Sequence, residues 1–468
     1  MKLDKEQEQA ANCINENSII IAGAGTGKTT TLIGKIEKMI KSGIKESEIL
    51  VISFTNETVN NFKLKCKYKI DVYTFHKIAM IISCLDKEIV DGEQLIKDIA
   101  ITLLSCIPIN IKKTIFHYYC GRFCIFSDEK FDKVLQDNTY NSIIKDIQRI
   151  IICTKSNNIE LDKINVYNFS KTENYIMYII YKIYEIYTKE LSENNFCDFD
   201  DIIINATNKL KNNEATHQYK YILVDEYQDI SYIRLNFLKE LVNANNCIIT
   251  VVGDDFQSIY GFSGSDINIF LNFHRHFENV KTFIISNTYR CPQIIVNKAG
   301  KFIMKNNQQI KKELKSLNKK RNVIHKVYYN DRKKVFYKIL HKIVNTKKTV
   351  MILSRNNYDI NNYIYSDIKF ENSYLTFNNV KYENIRYMSV HSSKGLEADI
   401  IILLNLTNSE NGFPSKKKSK LFEKTFTHKE KYKYAEERRL FYVALTRCKE
   451  EIYLIIDQNN PSKFALEV

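Results

Sequence analysis

The stretch "IIIAGAGTGKTT" at residues 19–30 holds the residue types that bind phosphate. A phosphate loop needs small residues so that successive backbone N–H groups converge on an anion, a lysine to reach the β- and γ-phosphates, and a hydroxyl for Mg²⁺. Here an apolar run ends at Ala22, Gly23, Ala24, Gly25, Thr26 and Gly27 form the turn, and Lys28, Thr29 and Thr30 open a helix-period segment. The strict pattern carries glycine where Ala22 stands, and alanine is tolerated there if φ stays negative. An ordinary glycine turn is the plain alternative, but it does not call for both a strand before and a helix after. Matching acids occur in "YKYILVDEYQD", where a buried run delivers Asp225 and Glu226 to its C-terminal end, the edge at which open α/β sheets bind ligands. In that setting Asp225 would hold Mg²⁺ through water with Thr29, and Glu226 would orient and deprotonate an attacking water. A helix N-cap is the bland use of such a pair. Loop and acids together imply ATP with Mg²⁺.

These groups need strands to carry them. "SIIIA", "ILVISF", "YILVD" and "CIITVVG" are short apolar runs, each followed by a polar turn and a helix-period stretch, which is the rhythm of parallel βαβ units covered on both faces. The rhythm stops near residue 80. Up to about residue 195 the chain is rich in Ile/Tyr/Lys helices such as "YIMYIIYKIYEIYTKEL", a helical insertion. A second series follows: "VKTFIIS", "TVMILSR", "IRYMSV", "DIIILLNL" and "EEIYLII". The expected fold class is α/β, with two doubly wound parallel-sheet domains and a helical insertion in the first. The expected boundaries are 1–78 with 196–276 for the first domain, 79–195 for the insertion, 277–460 for the second domain and 461–468 for a tail. The charged segment "SENGFPSKKKSKLFEKTFTHKEKYKY" reads as a mobile loop.

With 468 residues, 44% of them hydrophobic, the chain has apolar surface for more than one core. No run approaches the eighteen or so apolar residues of a membrane span, so the expectation is a soluble intracellular protein, cytoplasmic or nucleoid-associated, with no membrane partner. A formal net charge of +15 is the footprint of a polyanion binder, although lysine-rich surfaces are often merely solvated. Eleven scattered cysteines suit a reducing compartment. Cys106, Cys120, Cys124 and Cys153 fit no common metal or iron–sulfur spacing and read as core residues.

Once "VDEYQD" is joined to "VVGDDFQSIYGFSG", the chain resembles the UvrD/Rep/PcrA-like superfamily-1 helicases almost end to end, and the two domains then become RecA-like lobes. The resemblance implies roles residue by residue. In "LDKEQEQAA", Gln7 would read the adenine. "VISFTNETVNNF" and "VYTFHKIA" would cross single-stranded DNA with Phe54, Asn56, Thr74, Phe75 and His76. "YTKELSENNFCDFDDII" is similar to the family's return from its insertion. "NTYRCPQII" brings Tyr289 to the nucleotide, with Arg290 as one arginine finger, and "AEERRLFYVALTRCKEEIYLI" brings Arg447 as the other; Arg438 and Arg439 fit structural salt bridges as well. Gln257 would sense the γ-phosphate. "MSVHSSKGLEADIIIL" brings Lys394 and Gly395 together with His391 for DNA and Glu397 for the nucleotide, with Arg355 of "LSRNN" on the DNA side. Tyr260 and Phe262 suit sequence-tolerant base stacking, worth ~1–3 kcal/mol per base.

The implied activity is ATP-dependent translocation along single-stranded DNA and unwinding of tailed duplex DNA with 3′-to-5′ polarity. Relatives often carry tryptophan and arginine where this chain has Phe262 and Ser263, and arginine where it has Thr30. Only about 35 residues separate Arg355 from "HSSKGLE", an interval in which most relatives insert a large accessory domain. That gap leaves open a second reading, a DNA-stimulated ATPase that needs a protein partner such as a nuclease or repair factor.

Overall fold

A computed structural model describes residues 2–120, 138–164, 166–320, 323–416, 419–426, 430 and 432–468. Six strands form the first sheet: β1 (Ser18–Ala22), β2 (Ile49–Ser53), β3 (Asp71–Thr74), β4 (Tyr221–Val224), β5 (Ile248–Gly253) and β6 (Lys281–Ile285). They lie in the order β3-β2-β4-β5-β1-β6, and every neighbouring pair is parallel. β1 and β2 are buried along their whole length, as the apolar runs require when helices cover both faces. The consequence for chemistry is geometric. β4, β5 and β1 are adjacent, so their C-terminal ends present Asp225-Glu226, Asp254–Gln257 and the 23–27 loop side by side.

The run "VKTFIIS", expected to begin the second lobe, instead supplies β6, which pairs with β1 from Ser18↔Lys281 to Ala22↔Ile285. Periodicity identified the strand; only pairing decides its sheet.

Between the two halves of the first lobe lies a helical insertion, whose helices include Gly92–Cys106, Ile109–Cys120, Asn138–Ser156 and Lys171–Glu193. Their apolar faces close on Ile96, Leu104, Ile147, Ile150, Ile180 and Tyr187. Their starts are capped locally. Asp91 accepts from the backbone of Glu93 and Gln94, and Ser170 forms a capping box with Glu173. The chain returns at Asp198, which caps the helix Phe199–Lys211 in the same way.

The second sheet holds β7 (Ile324–Tyr329), β8 (Val350–Ser354), β9 (Ile368–Glu371), β10 (Tyr374–Phe377), β11 (Val380–Ser389), β12 (Ala398–Leu406) and β13 (Cys448–Asp457) in the order β7-β13-β12-β8-β11-β10-β9. Five strands run parallel, while β10 and β9 fold back antiparallel. The two connecting loops are Asn372-Ser373, with φ of 48° and 72°, and Asn378-Asn379, with φ of 50° and 61°. Two positive φ values in a two-residue loop are the mark of the tight hairpin turn that asparagine favours. This antiparallel edge fills part of the short interval before His391.

The charged segment near residue 420 is not wholly loose. Its helix Lys420–Thr425 leans on the insertion, with Leu421, Phe422 and Phe426 buried in the insertion's core. The Arg149 guanidinium lies 3.7 Å from the Phe422 ring centroid, and Lys424 Nζ reaches both Glu173 carboxylate oxygens at 2.7 and 2.8 Å. Three apolar side chains of this helix thus face inward, and Lys424 is paired with a carboxylate of the insertion. At the end of the chain the helix Lys463–Glu467 also packs, burying Phe464 against Phe302 and Phe441. The lobes share one apolar cluster, in which Ala24, Phe256 and Ile259 of the first meet Leu440, Phe441 and Ala444 of the second. Among the described residues no helix is long and apolar enough to cross a membrane.

Candidate functional site

Ala22 is the last residue of β1 and keeps a negative φ, as required of alanine at that place, whereas Gly25 and Gly27 take φ of 73° and 79°. Gly25 has a second reason to be glycine: a Cβ there would fall 2.5 Å from the Cβ of Arg290. Gly27 caps the helix Lys28–Lys41, so Lys28 and Thr29 stand in its first turn with Thr30 half-buried behind them. Loop N–H groups and helix terminus together favour an anion. Lys28 Nζ reaches the Glu226 carboxylate at 2.7 and 2.8 Å, and the Thr29 hydroxyl donates to Asp225 Oδ2 at 3.0 Å. A hydroxyl and a carboxylate this close form a hard-oxygen set of the kind Mg²⁺ takes. Gln7 is buried and donates from Nε2 to the Thr26 carbonyl at 2.9 Å, which ties the first helix, Lys5–Asn12, to the loop.

Glu226 adopts a left-handed backbone, φ 55°, unusual outside glycine and asparagine. Such strain clusters at functional positions and is held by its surroundings, here by Lys28 and by Gln228 Nε2 at 2.6 Å. Burial would raise both carboxyls. Glu226 is nevertheless held below the usual range by Lys28 and Lys394, while burial and the charge of Glu226 push Asp225 up.

Second-lobe groups close on the same loop. The N–H of Tyr289 donates to the Gly25 carbonyl at 3.0 Å, and the Thr288 hydroxyl to that of Ala24 at 2.8 Å. Arg290 Nε donates to Glu397 at 2.8 Å, and Lys449 meets the same carboxylate at 2.8 Å. Arg447 is only 1% exposed, and its Nη2 donates to Gln257 Oε1 at 2.8 Å, across the lobe boundary. Burial and the neighbouring Arg290 push Arg447 down to about 9. A cavity of about 410 Å³ opens beside the loop, with Gly25, Tyr289, Arg290, Lys320, Glu397 and Lys449 on its wall. Tyr289 is 59% exposed and donates its hydroxyl to Asp4 at 2.8 Å.

The residues expected to meet DNA fall into two groups. Tyr260, Phe262 and His391 form one cluster across the lobes, with ring centroids 6.0 Å apart for the first pair and 5.5 Å for the second, and Phe262 is 40% exposed. Lys394 lies 4.8 Å from the Tyr260 ring. Phe54 is half-buried, and Asn56 is exposed at the start of the helix Asn56–Lys65. Thr74 caps the helix Phe75–Ser83 by accepting from the Lys77 N–H. Phe75 departs from the expectation. It is 1% exposed and supports Phe54 from beneath, ring centroids 5.1 Å apart, because Phe75, Ile78, Ala79 and Ile82 make the helix's core face. His76 packs edge-on against Phe199 at 5.2 Å, and Arg355 clamps Glu437 at 2.7 and 2.9 Å. Arg438 and Arg439 take the structural alternative, paired with Glu467 and Glu430.

Burial pushes His391 down to about 3 and His76 to about 4, so both are neutral near pH 7. An unfolded histidine takes up its proton near pH 6.5, and the folded state lacks that proton until far lower pH. Stability is therefore lost as pH falls below about 6.5. Compared with His391→Gln, the wild type is expected to lose up to about 2 kcal/mol more unfolding free energy between pH 7 and pH 5, read from urea titrations.

Sequence reasoning missed two groups. Asp229 is the carboxylate that Lys394 of "HSSKGLE" joins, while the same ammonium donates to the Gln257 carbonyl at 2.7 Å; burial raises the Asp229 carboxyl to about 6 against the pull of Lys394. Asp229 closes the quoted "VDEYQD", so a signal for it existed. Lys312, fully buried between Asp254 and Asp255, had none, since it lies in a run of lysines. Of the cysteines considered together, Cys106 is exposed and Cys153 is buried, while Cys124 and the Cys120 side chain lie outside the described residues. Among the described residues no three metal-binding side chains gather.

The model of the UvrD/REP helicase N-terminal domain matches residues 3–278, more than half of the chain, and that of the UvrD-like helicase C-terminal domain matches residues 362–459. The chain belongs to the UvrD/Rep helicase family. Relatives include DNA helicase IV of Escherichia coli, 30% identical over 58% of this chain and 39% of the relative. A probable DNA helicase of Mycoplasma pneumoniae is 26% identical over 97% of this chain and 83% of its own length. ATP-dependent DNA helicase Rep of Buchnera aphidicola (subsp. Schizaphis graminum) is 29% identical over 76% and 54%. The chain thus spans about half or less of two of these three relatives. Within the UvrD/Rep framework, the hairpin edge β9–β11 occupies the interval before His391.

Proposed function

We propose that this chain is an ATP- and Mg²⁺-dependent single-stranded DNA translocase and DNA helicase, moving 3′ to 5′ in the cytoplasm or at the nucleoid. The observation that carries the reading is the convergence of two lobes on one site: Lys28, Thr29, Asp225, Glu226 and Gln257 from the first lobe, Arg290 and Arg447 from the second. Phosphoryl transfer asks the protein mainly for positioning and positive charge. Loop N–H groups and Lys28 would grip the β- and γ-phosphates, Glu226 would orient the attacking water, and Arg290 and Arg447 would meet charge on the transferred group. Mg²⁺, held by Thr29 and through water by Asp225, would neutralise phosphate oxygens. Because the arginines belong to the far lobe, the nucleotide state alters lobe separation. The Tyr260–Phe262–His391 cluster spans the same boundary, so a strand stacked there would feel each change.

The test is ATP hydrolysis with and without single-stranded DNA, followed by strand displacement on duplexes tailed at the 3′ or the 5′ end. Stimulated hydrolysis with displacement confined to the 3′ tail supports the reading, and turnover indifferent to DNA refutes it. Affinity for single strands is expected to fall with salt at a log–log slope of about −0.7 per phosphate neutralised, measured by anisotropy. A flat response would assign the +15 charge elsewhere.

The hairpin edge favours one second reading, a DNA-stimulated ATPase that unwinds only with a partner such as a nuclease or repair factor. Hydrolysis without displacement on either tail would select it.

A further inference from the structure

We propose that Lys312 is a positioning residue for ATP hydrolysis: it locks Asp254, and through Asp254 the side-chain amide of Gln257, in the orientation that turns Oε1 toward Arg447. The proposal rests on the ATPase reading above and adds to it a residue outside every motif assigned to the nucleotide.

The contacts form a continuous relay. Lys312 Nζ donates to Asp254 Oδ1 at 2.6 Å and to Asp255 Oδ1 at 2.5 Å. Asp254 Oδ1 also accepts the Phe256 N–H at 3.1 Å, and Oδ2 accepts Gln257 Nε2 at 2.5 Å. An amide has one donating and one accepting end, so committing Nε2 to Asp254 leaves Oε1 for Arg447 Nη2, 2.8 Å away. Asp255 Oδ2 in turn accepts from Gln309 Nε2 at 2.7 Å and the Ile310 N–H at 2.8 Å, which fixes the segment carrying Lys312. The side chains of Lys312, Asp254 and Asp255 have no exposure at all, and the ammonium lies 3.9 Å from the Phe256 ring centroid.

Charge explains why a lysine is needed. Two adjacent buried carboxylates repel each other, and the ammonium between them offsets that repulsion and fixes both carboxylate planes. Without it, Asp254 Oδ2 is no longer held where it accepts Gln257 Nε2, and the amide loses the bond that keeps Oε1 on Arg447. The two carboxylates hold the Lys312 ammonium above its ordinary range despite burial, so the cation persists at working pH.

Lys312→Met keeps the length and apolar stem of the side chain and removes the charge. Expected is a kcat for DNA-stimulated ATP hydrolysis lower by about 10–100-fold, the scale seen when outer partners that orient reacting groups are lost. KM for ATP should change less than about threefold, because Lys312 and Asp254 lie outside the loop and the Lys28 ammonium that grip the phosphates. The decisive reading is a double-mutant cycle. In a Gln257→Ala background Lys312→Met should cost almost nothing further, since the amide it orients is gone. A purely structural lysine would lower kcat by the same factor in both backgrounds, and that result overturns the proposal. Should Lys312→Met lose its cooperative melt, Asp254→Asn decides: a kcat loss of the same size with a retained melt supports the relay, and a wild-type kcat overturns it. A wild-type chain without ATPase activity would fail the functional reading itself, whereas an active wild type with an equally active Lys312→Met fails only this inference.

Discussion

Lys28→Ala is expected to abolish ATP hydrolysis while leaving single-strand binding measurable. Lys28 stands in the first turn of its helix with its ammonium 2.7 Å from Glu226, at the centre of the acids and the loop. Its removal takes away a positive charge where γ-phosphate charge develops, and it leaves Glu226 without its nearest cation. Losing even one preorganised donor at a developing anion costs about 10²–10³ in rate, and here a full charge is lost. We expect kcat down by at least about 10³, followed by phosphate release under saturating single-stranded DNA. The Tyr260–Phe262–His391 cluster makes no contact with Lys28, so anisotropy with a labelled strand should still show binding. Turnover at the wild-type rate would sink the phosphate-loop assignment.

Arg290→Ala is expected to lower kcat by about 10³–10⁵, the range for an arginine finger, with a much smaller change in KM for ATP. The side chain rises directly against Gly25, and Glu397 holds its Nε at 2.8 Å so that the guanidinium is oriented before nucleotide arrives. Lysine cannot replace it, because a point charge lacks the planar fork that meets two phosphate oxygens together. Arg290→Lys should therefore recover little. A loss below tenfold for Arg290→Ala would return Arg290 to an ordinary ion pair with Glu397.

Much of the site was legible because its chemistry is local in sequence. Gly25 and Gly27 take positive φ, and the acids Asp225-Glu226 follow a buried strand, as the residue types required. Nonlocal features were harder to read. Nothing in "VKTFIIS" says which sheet it joins, since it ends as the largely exposed edge strand β6, and an edge strand can be added to either sheet. Phe75 shows two signals in conflict: its motif suggests contact with a strand, while its spacing with Ile78, Ala79 and Ile82 marks a core face, and the spacing prevailed. The turn residues Asn372-Ser373 and Asn378-Asn379 were visible hairpin signals within an interval judged only by its length. In the segment near residue 420, lysines masked Leu421, Phe422 and Phe426, whose apolar partners lie more than two hundred residues earlier. Lys312 is the extreme case, because a buried cation can be told from a solvated one only by the carboxylates that surround it.

The aromatic anchor of the Lys420–Thr425 helix bears on how the molecule can open. Its apolar side chains are seated in the helical insertion, yet it lies in the connection between β12 and β13 of the far lobe, so the two sides of the cleft are stapled by an element that belongs to neither sheet. Any rotation that widens the cleft must either unseat Phe422, at about 1.5–3 kcal/mol for re-exposing such a ring, or take the layer along as a passenger. The layer is itself moored to the first lobe, Lys155 to Asp198 and Ser156 to Asp200 each at 2.7 Å, so the anchor acts as a brace across the mouth of the cleft and sets a threshold for opening.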